Sequence, residues 1–135
     1  MKKLFFIIPL ILIVGYFSFH FPDKDITLLG IGKHRHFLFH GSLLPLLLFF
    51  LFRWFKGSIL FILSTGSSLG VGLHLISDIP QNKSISFYPF CNTLIYNTSI
   101  DDRAWLAVNI IVCFLIVFLI AFSKKKAIEI KLYKE

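Results

Sequence analysis

Histidines and aspartates that could bind a metal lie near the ends of apolar segments in this chain. His36 and His40 are four residues apart, as are His74 and Asp78, and residues at this spacing share one face of a helix. His40 and His74 each lie about one turn inside an apolar segment, where an ionisable side chain is costly and marks a functional candidate. Because imidazole nitrogens and carboxylate oxygens are ligands of Zn²⁺ and Mn²⁺, the sequence predicts a divalent metal site.

Simpler roles remain open for several of the polar residues near these segments. A histidine near the membrane surface could serve as an interfacial anchor, and an aspartate before a helix could cap its N-terminus. A pair of aspartates after a proline could belong to a solvated turn. The residues concerned are His20, His34, His36, Asp23, Asp25, Asp101 and Asp102.

The composition indicates what kind of scaffold must position these side chains. Of the 135 residues, 56% are hydrophobic, 16% are charged and 17 are Phe. A soluble domain has about 45–50% apolar and about 25% charged residues, and a small globule has too little interior to bury the surplus. With only two cysteines, the chain does not fit a disulfide-stapled secreted module either. We therefore expect a small integral membrane protein with one embedded domain over residues 1–135.

Four apolar segments approach the length of about 20 residues that a helix needs to cross about 30 Å of hydrocarbon. They cover residues 4–21, 37–55, 57–79 and 104–122. Lipid offers no partner to unpaired backbone groups, so we expect an all-α bundle of four transmembrane helices. The short turn at 53–57 brings the His36/His40 pair and the His74/Asp78 pair to the same end of the bundle. A small-residue face around Gly66, Gly70 and Gly72 predicts close helix packing there.

The distribution of basic residues predicts the orientation of the bundle. With the N-terminus inside, nine Lys and Arg residues fall on the inner side and five on the outer side, which favours cytoplasmic termini. All five histidines and all five aspartates then lie in the outer half. The basic residues that give the net charge of +7 flank the apolar segments, and many of them lie in the tail 123–135. We therefore expect no nucleic-acid partner. The outer connection 80–103 holds Pro80, Pro89 and the apolar run SISFYPF, and we expect it at the interface above the site.

Three short motifs in chain order resemble those of a known family. They are Pro22–Asp23–Lys24–Asp25, then His34–Arg35 with His40 and Ser42, then His74 with Asp78. In these motifs the chain resembles the small membrane-bound metal-dependent hydrolases of the inner membrane sometimes called the YdjM-like or LexA-regulated family. It departs from that pattern where Gly41 separates His40 from Ser42, and where Ile79–Pro80–Gln81 replaces the Thr-Pro and Gly of many members.

The resemblance implies a metal-dependent hydrolase of a bacterial inner membrane, and the predicted orientation places its site at the outer face. A distant similarity to the all-helical zinc-dependent phospholipase C and nuclease group implies a phosphoester substrate, and a lipid or lipid-linked phosphoester would fit the depth of the site. Asp25 or Asp78 would accept a proton as general base, and Arg35 would bind the phosphate through its planar guanidinium. The implied ligands of Zn²⁺ or Mn²⁺ are Asp23, His34, His40, His74 and Asp78.

Two other functions are compatible with the same residues. The histidines and aspartates could serve ion or proton passage, but the inner halves of the four apolar segments contain no acid or histidine to continue a relay. The chain could also be a non-enzymatic membrane scaffold with a structural His/Asp cluster and a partner-binding outer loop. The oligomeric state does not follow from the sequence.

Overall fold

The computed structural model describes residues 2–29, 35–81 and 102–132, and within them the side chains of 6–29, 35–81 and 103–123. The helices are α1 (Lys2–Phe19), the short α2 (Lys24–Leu29), α3 (Leu43–Phe55), α4 (Ser58–Asp78) and α5 (Asp102–Leu132). A 3₁₀ turn at Ile79–Gln81 follows α4. No strand occurs in the described ranges, so the predicted all-α class is confirmed.

A proline sets the end of α1. The helix stops at Phe19, before the predicted residue 21, because Pro22 disfavours helical geometry at Phe21. The chain then turns into α2, and the N–H of Lys24 donates to the carbonyl of Phe21 at 3.0 Å. Asp23 lies in this turn, directly before α2.

The segment before α3 is irregular, and the predicted helix start at residue 37 is wrong. Pro45 lies in the first turn of α3, where the missing N–H would have no intrahelical partner. A helix running from 37 through 45 would make Pro45 an interior residue, and its ring would clash with the carbonyl of Gly41. Residues 35–42, hereafter the 35–42 segment, instead form bends and one turn closed by the N–H of His40 on the carbonyl of His36 at 2.8 Å.

The central helix of the bundle is α4, which packs against α1, α3 and α5. A Cβ on Gly70 would collide with the carbonyl oxygen of Gly15 in α1, and a Cβ on Gly72 would meet Cys113 of α5 at 3.2 Å. The close packing predicted from the small residues is therefore confirmed. The buried core lies between α4 and α5 and consists of Val71, Leu75, Leu106 and Cys113.

The last helix continues well past its predicted end at residue 122. It runs to Leu132 because the added residues contain no Pro or Gly and include the good helix formers Lys, Ala, Leu and Glu. The apolar segment ends at the lysines, but the helix does not. Most of the predicted outer loop 80–103, with Cys91, lies outside the described residues.

By length and apolar composition, two helices of the described part could cross a membrane, Ser58–Gln81 and Arg103–Ser123. The apolar parts of α1 and α3, Phe6–Phe19 and Leu43–Phe55, are shorter. A core helix of a soluble protein can have the same length and composition, so these properties alone do not establish a span. Four spans with cytoplasmic termini remain a prediction.

Candidate metal centre

Four of the five predicted metal ligands meet at one end of the bundle. One ligand atom each of Asp23, His40 and His74 lies within 4.8 Å of the other two. Asp78 Oδ2 is 3.4 Å from Nε2 of both His40 and His74, and His74 Nε2 is 3.7 Å from Asp23 Oδ1. The fifth predicted ligand, His34, lies outside the described residues.

Each ligand is delivered by a different kind of local structure. Asp23 belongs to the turn between α1 and α2, and His40 ends the turn of the 35–42 segment. His74 and Asp78 lie one turn apart at the end of α4, as their spacing predicts. The prediction that His36 and His40 share a helix face is wrong, because neither residue is in a helix. His40 nevertheless reaches the cluster, since the turn directs it inward.

The spacing of these atoms suits a divalent metal ion. Zinc ligands lie about 2.0–2.2 Å from the ion, so two ligand atoms of one tetrahedron are about 3.4 Å apart. Three of the six distances between the four atoms are 3.4, 3.4 and 3.7 Å, close to this value. In addition, His74 Nε2 and Asp78 Oδ2 are buried, and apart from the 3.4–3.7 Å contacts within the cluster they make no hydrogen bond to any described residue. Buried polar atoms without a hydrogen bond are costly, and an ion would bind both of them.

Asp25 lies behind His40 rather than in the cluster. Its side chain is wholly buried, and its Oδ2 is 3.1 Å from His40 Nδ1. The same oxygen accepts a hydrogen bond from the backbone N–H of His36 at 2.9 Å. A carboxylate in this position orients the imidazole of a metal ligand and raises its basicity. The geometry therefore suits a positioning role for Asp25 better than the predicted proton transfer.

Arg35 lies behind Asp78 and is also wholly buried. Its Nη2 donates to the backbone carbonyl of Asp78 at 2.9 Å and is 3.7 Å from Asp78 Oδ1. Gln81 Nε2 donates to the same carboxylate oxygen at 3.1 Å. A cation at the end of α4 also interacts favourably with the helix dipole. The guanidinium thus contacts the end of α4 from within the protein. The predicted phosphate-binding role would need a guanidinium that substrate can reach.

Two residues of α5 that the sequence analysis did not single out hold the 35–42 segment. Trp105 Nε1 donates to the carbonyl of His40 at 2.8 Å. Asn109 Oδ1 accepts from both the N–H and the hydroxyl of Ser42 at 2.8 Å, and Asn109 Nδ2 donates to the carbonyl of Trp105 at 2.9 Å. An amide inside an apolar segment is a signal that could have identified Asn109.

An open cleft gives access to the cluster. It has a volume of about 430 Å³. Its lining residues are Phe19, His20, Asp23, Ile26, His74, Ser77, Asp78 and Gln81. The side chain of Asp23 is 49% exposed, so this ligand marks the open side of the site. Asp25, Arg35 and His40 do not line the cleft.

Comparison of the chain with protein-family models, with curated proteins and with solved structures found no match. The resemblance carried by the three motifs is therefore still a prediction. The structure itself provides a cluster of His and Asp side chains that could bind a metal ion, at the end of two apolar helices.

Proposed function

We propose that this protein is a membrane-bound metal-dependent hydrolase that acts on a lipid or lipid-linked phosphoester at the outer face of a bacterial inner membrane. The observation that carries the proposal is the clustering of Asp23, His40, His74 and Asp78 beside an open cleft that all of them except His40 line. The motif resemblance to membrane-bound metal-dependent hydrolases supports the choice of reaction.

The membrane setting is supported by the exposed surface. Large apolar side chains such as Phe6, Leu12, Phe17, Val108 and Phe118 are more than half exposed, and a soluble monomer rarely shows an apolar surface of this extent. The irregular 35–42 segment is compatible with membrane depth because Trp105 binds the carbonyl of His40 and Asn109 binds the N–H of Ser42.

The proposal gives each residue of the site a task. Asp23, His40 and His74 would hold the metal, with Asp78 as a fourth ligand that gives way to water, because a catalytic zinc keeps one position for water. When bound, such an ion makes a nucleophile of water at neutral pH and polarises a phosphoryl oxygen. Of the two predicted bases, Asp78 is the better placed, because it lines the cleft whereas Asp25 does not. Arg35 fixes Asp78, and Asp25 fixes His40.

Elemental analysis of the detergent-purified protein tests this function. We expect about one equivalent of zinc or another transition metal in the wild type and its loss in a His74→Ala/Asp78→Ala double variant. His20→Ala is the matched control, because His20 lines the same cleft but is not among the clustered ligands, so its metal content should be unchanged.

Hydrolysis of phosphatidic acid and phosphatidylglycerol by the metal-loaded protein then tests the reaction. A bound metal without hydrolysis of any phosphoester, lipid or soluble, would favour a metal-binding scaffold. Absence of metal after reconstitution with Zn²⁺ and Mn²⁺ would refute the hydrolase.

A further inference from the structure

A second concave surface lies beside the cleft of the metal centre. It is an apolar groove of about 330 Å³ between residues 11–19 of α1 and residues 69–73 of α4. Its lining includes Gly15 and Gly70, whose contact leaves no room for a Cβ on Gly70. Tyr16 is the one polar side chain on its walls. Because the described walls carry no charge, the groove suits a hydrocarbon group.

The groove and the cleft meet at Phe19. This residue lines both spaces, and its ring packs edge-on against His74 at a centroid distance of 5.3 Å. From Phe19 the groove follows α1 back to Ile11, a length of about 12 Å at 1.5 Å per residue. It therefore starts at the metal centre and runs away from it along the apolar helices, as the chain of a lipid runs inward from its headgroup.

The lining and position of the groove favour one occupant. Its described walls carry one polar side chain and no charge, and it joins the cleft at Phe19. A single hydrocarbon chain whose polar end lies in the cleft satisfies both conditions.

We propose that this groove holds one hydrocarbon chain of a lipid phosphoester while its phosphate lies at the metal centre. The inference rests on the proposed function and narrows its substrate to phosphoesters that carry a long chain. Because lipid tails are as apolar as the groove, the groove contributes packing and orientation rather than hydrophobic transfer energy. Its effect is to place the phosphoester bond over the cluster in a productive geometry.

Photo-crosslinking in nanodiscs tests the proposal without depending on hydrolysis. The zinc-loaded protein is exposed to two probes with the same diazirine-bearing acyl chain, a phosphatidic acid and a diacylglycerol. We expect the phosphatidic acid to label residues 11–19 and 69–73 several-fold more than the diacylglycerol does. Equal labelling by both probes, or equal labelling of the groove and of the exposed face of α5, would overturn the proposal.

A matched pair of substitutions on α1 sharpens the test. Leu12 lines the groove and Leu10 does not, and both are largely exposed, so that Trp fits at either position without disturbing the core. We expect Leu12→Trp to reduce groove labelling several-fold and Leu10→Trp to leave it unchanged. If metal content and hydrolysis are normal but Leu12→Trp is labelled like Leu10→Trp, the groove proposal fails while the hydrolase stands. If no metal binds, the hydrolase itself fails.

Discussion

At the scale of single residues, the candidate site consists of side chains that could bind a metal ion and of buried side chains that contact them. Asp23, His40, His74 and Asp78 present their ligand atoms to one another. Behind them, the buried carboxylate of Asp25 contacts His40 and the buried guanidinium of Arg35 contacts Asp78. The orientation and basicity of the candidate ligands therefore depend on two buried residues that a substrate would not contact.

Replacement of Asp25 by Asn should weaken metal binding without removing the ligands. The amide keeps an oxygen that can accept from the backbone N–H of His36, but it removes the charge beside His40 Nδ1. We expect an affinity for Zn²⁺ about 10–100-fold lower, as for other carboxylates behind metal-bound histidines. Competition with a fluorescent zinc chelator measures this, with Thr27→Ala on the same short helix as control. An unchanged affinity would show that Asp25 has only a structural role.

The sequence predicted the chemical types of the site well, but not the orientation of each group. The i, i+4 spacing of His74 and Asp78 was sufficient because both residues lie in one regular helix. For Asp25 and Arg35, spacing alone cannot tell which side of a ligand a carboxylate or a guanidinium approaches. Their positions depend on the path of the irregular 35–42 segment, which is fixed by contacts with residues distant in the sequence.

At the scale of elements, α4 positions the site because every other long helix packs on it. Its glycines allow α1 to approach so closely that the turn after α1 reaches the end of α4. The late start of α3 follows from Pro45, a signal that is visible in the sequence and was outweighed by the apolar run around it.

Gly70→Ala should force α1 and α4 apart. The new Cβ would meet the backbone of Gly15 and Phe19, which cannot move aside as a flexible side chain could. We expect a loss of about 1–3 kcal/mol of stability, typical of overpacking, together with weaker metal binding because Asp23 follows α1. Thermal unfolding in detergent measures the first effect and metal titration the second. Gly57→Ala is the control, since a Cβ there meets nothing within 4 Å, and equal behaviour of the two variants would contradict the expectation.

Asn109→Leu should loosen the 35–42 segment while leaving the core of α5 apolar. The substitution removes the acceptor for the N–H and hydroxyl of Ser42. Because His40 lies two residues away, we expect zinc affinity to fall about tenfold, within the range for supporting residues of metal sites. Val108→Ala, at a largely exposed position of the same helix, should leave the affinity unchanged. A normal affinity in Asn109→Leu would mean that Asn109 is not needed to position His40.

At the scale of the whole molecule, the predicted orientation places the metal centre on the outer side and the turn between α3 and α4 inside. Single cysteines test this in a variant carrying Cys91→Ser and Cys113→Ala. We expect a membrane-impermeant maleimide to label Leu28→Cys, an exposed position near the site, in intact cells. Lys56→Cys, also exposed, should react only after permeabilisation. The reverse pattern would place the site in the cytoplasm.

The order of the elements along the chain has a consequence for biosynthesis. All four clustered ligands precede residue 79, whereas Trp105 and Asn109, which hold the backbone of the 35–42 segment, are translated later. Once α4 has left the ribosome, the nascent chain therefore contains all four candidate ligands and Asp25, but it lacks the contacts from α5 that hold the 35–42 segment around His40. Metal captured at that stage would exchange readily, and insertion of α5 would be the step that retains it.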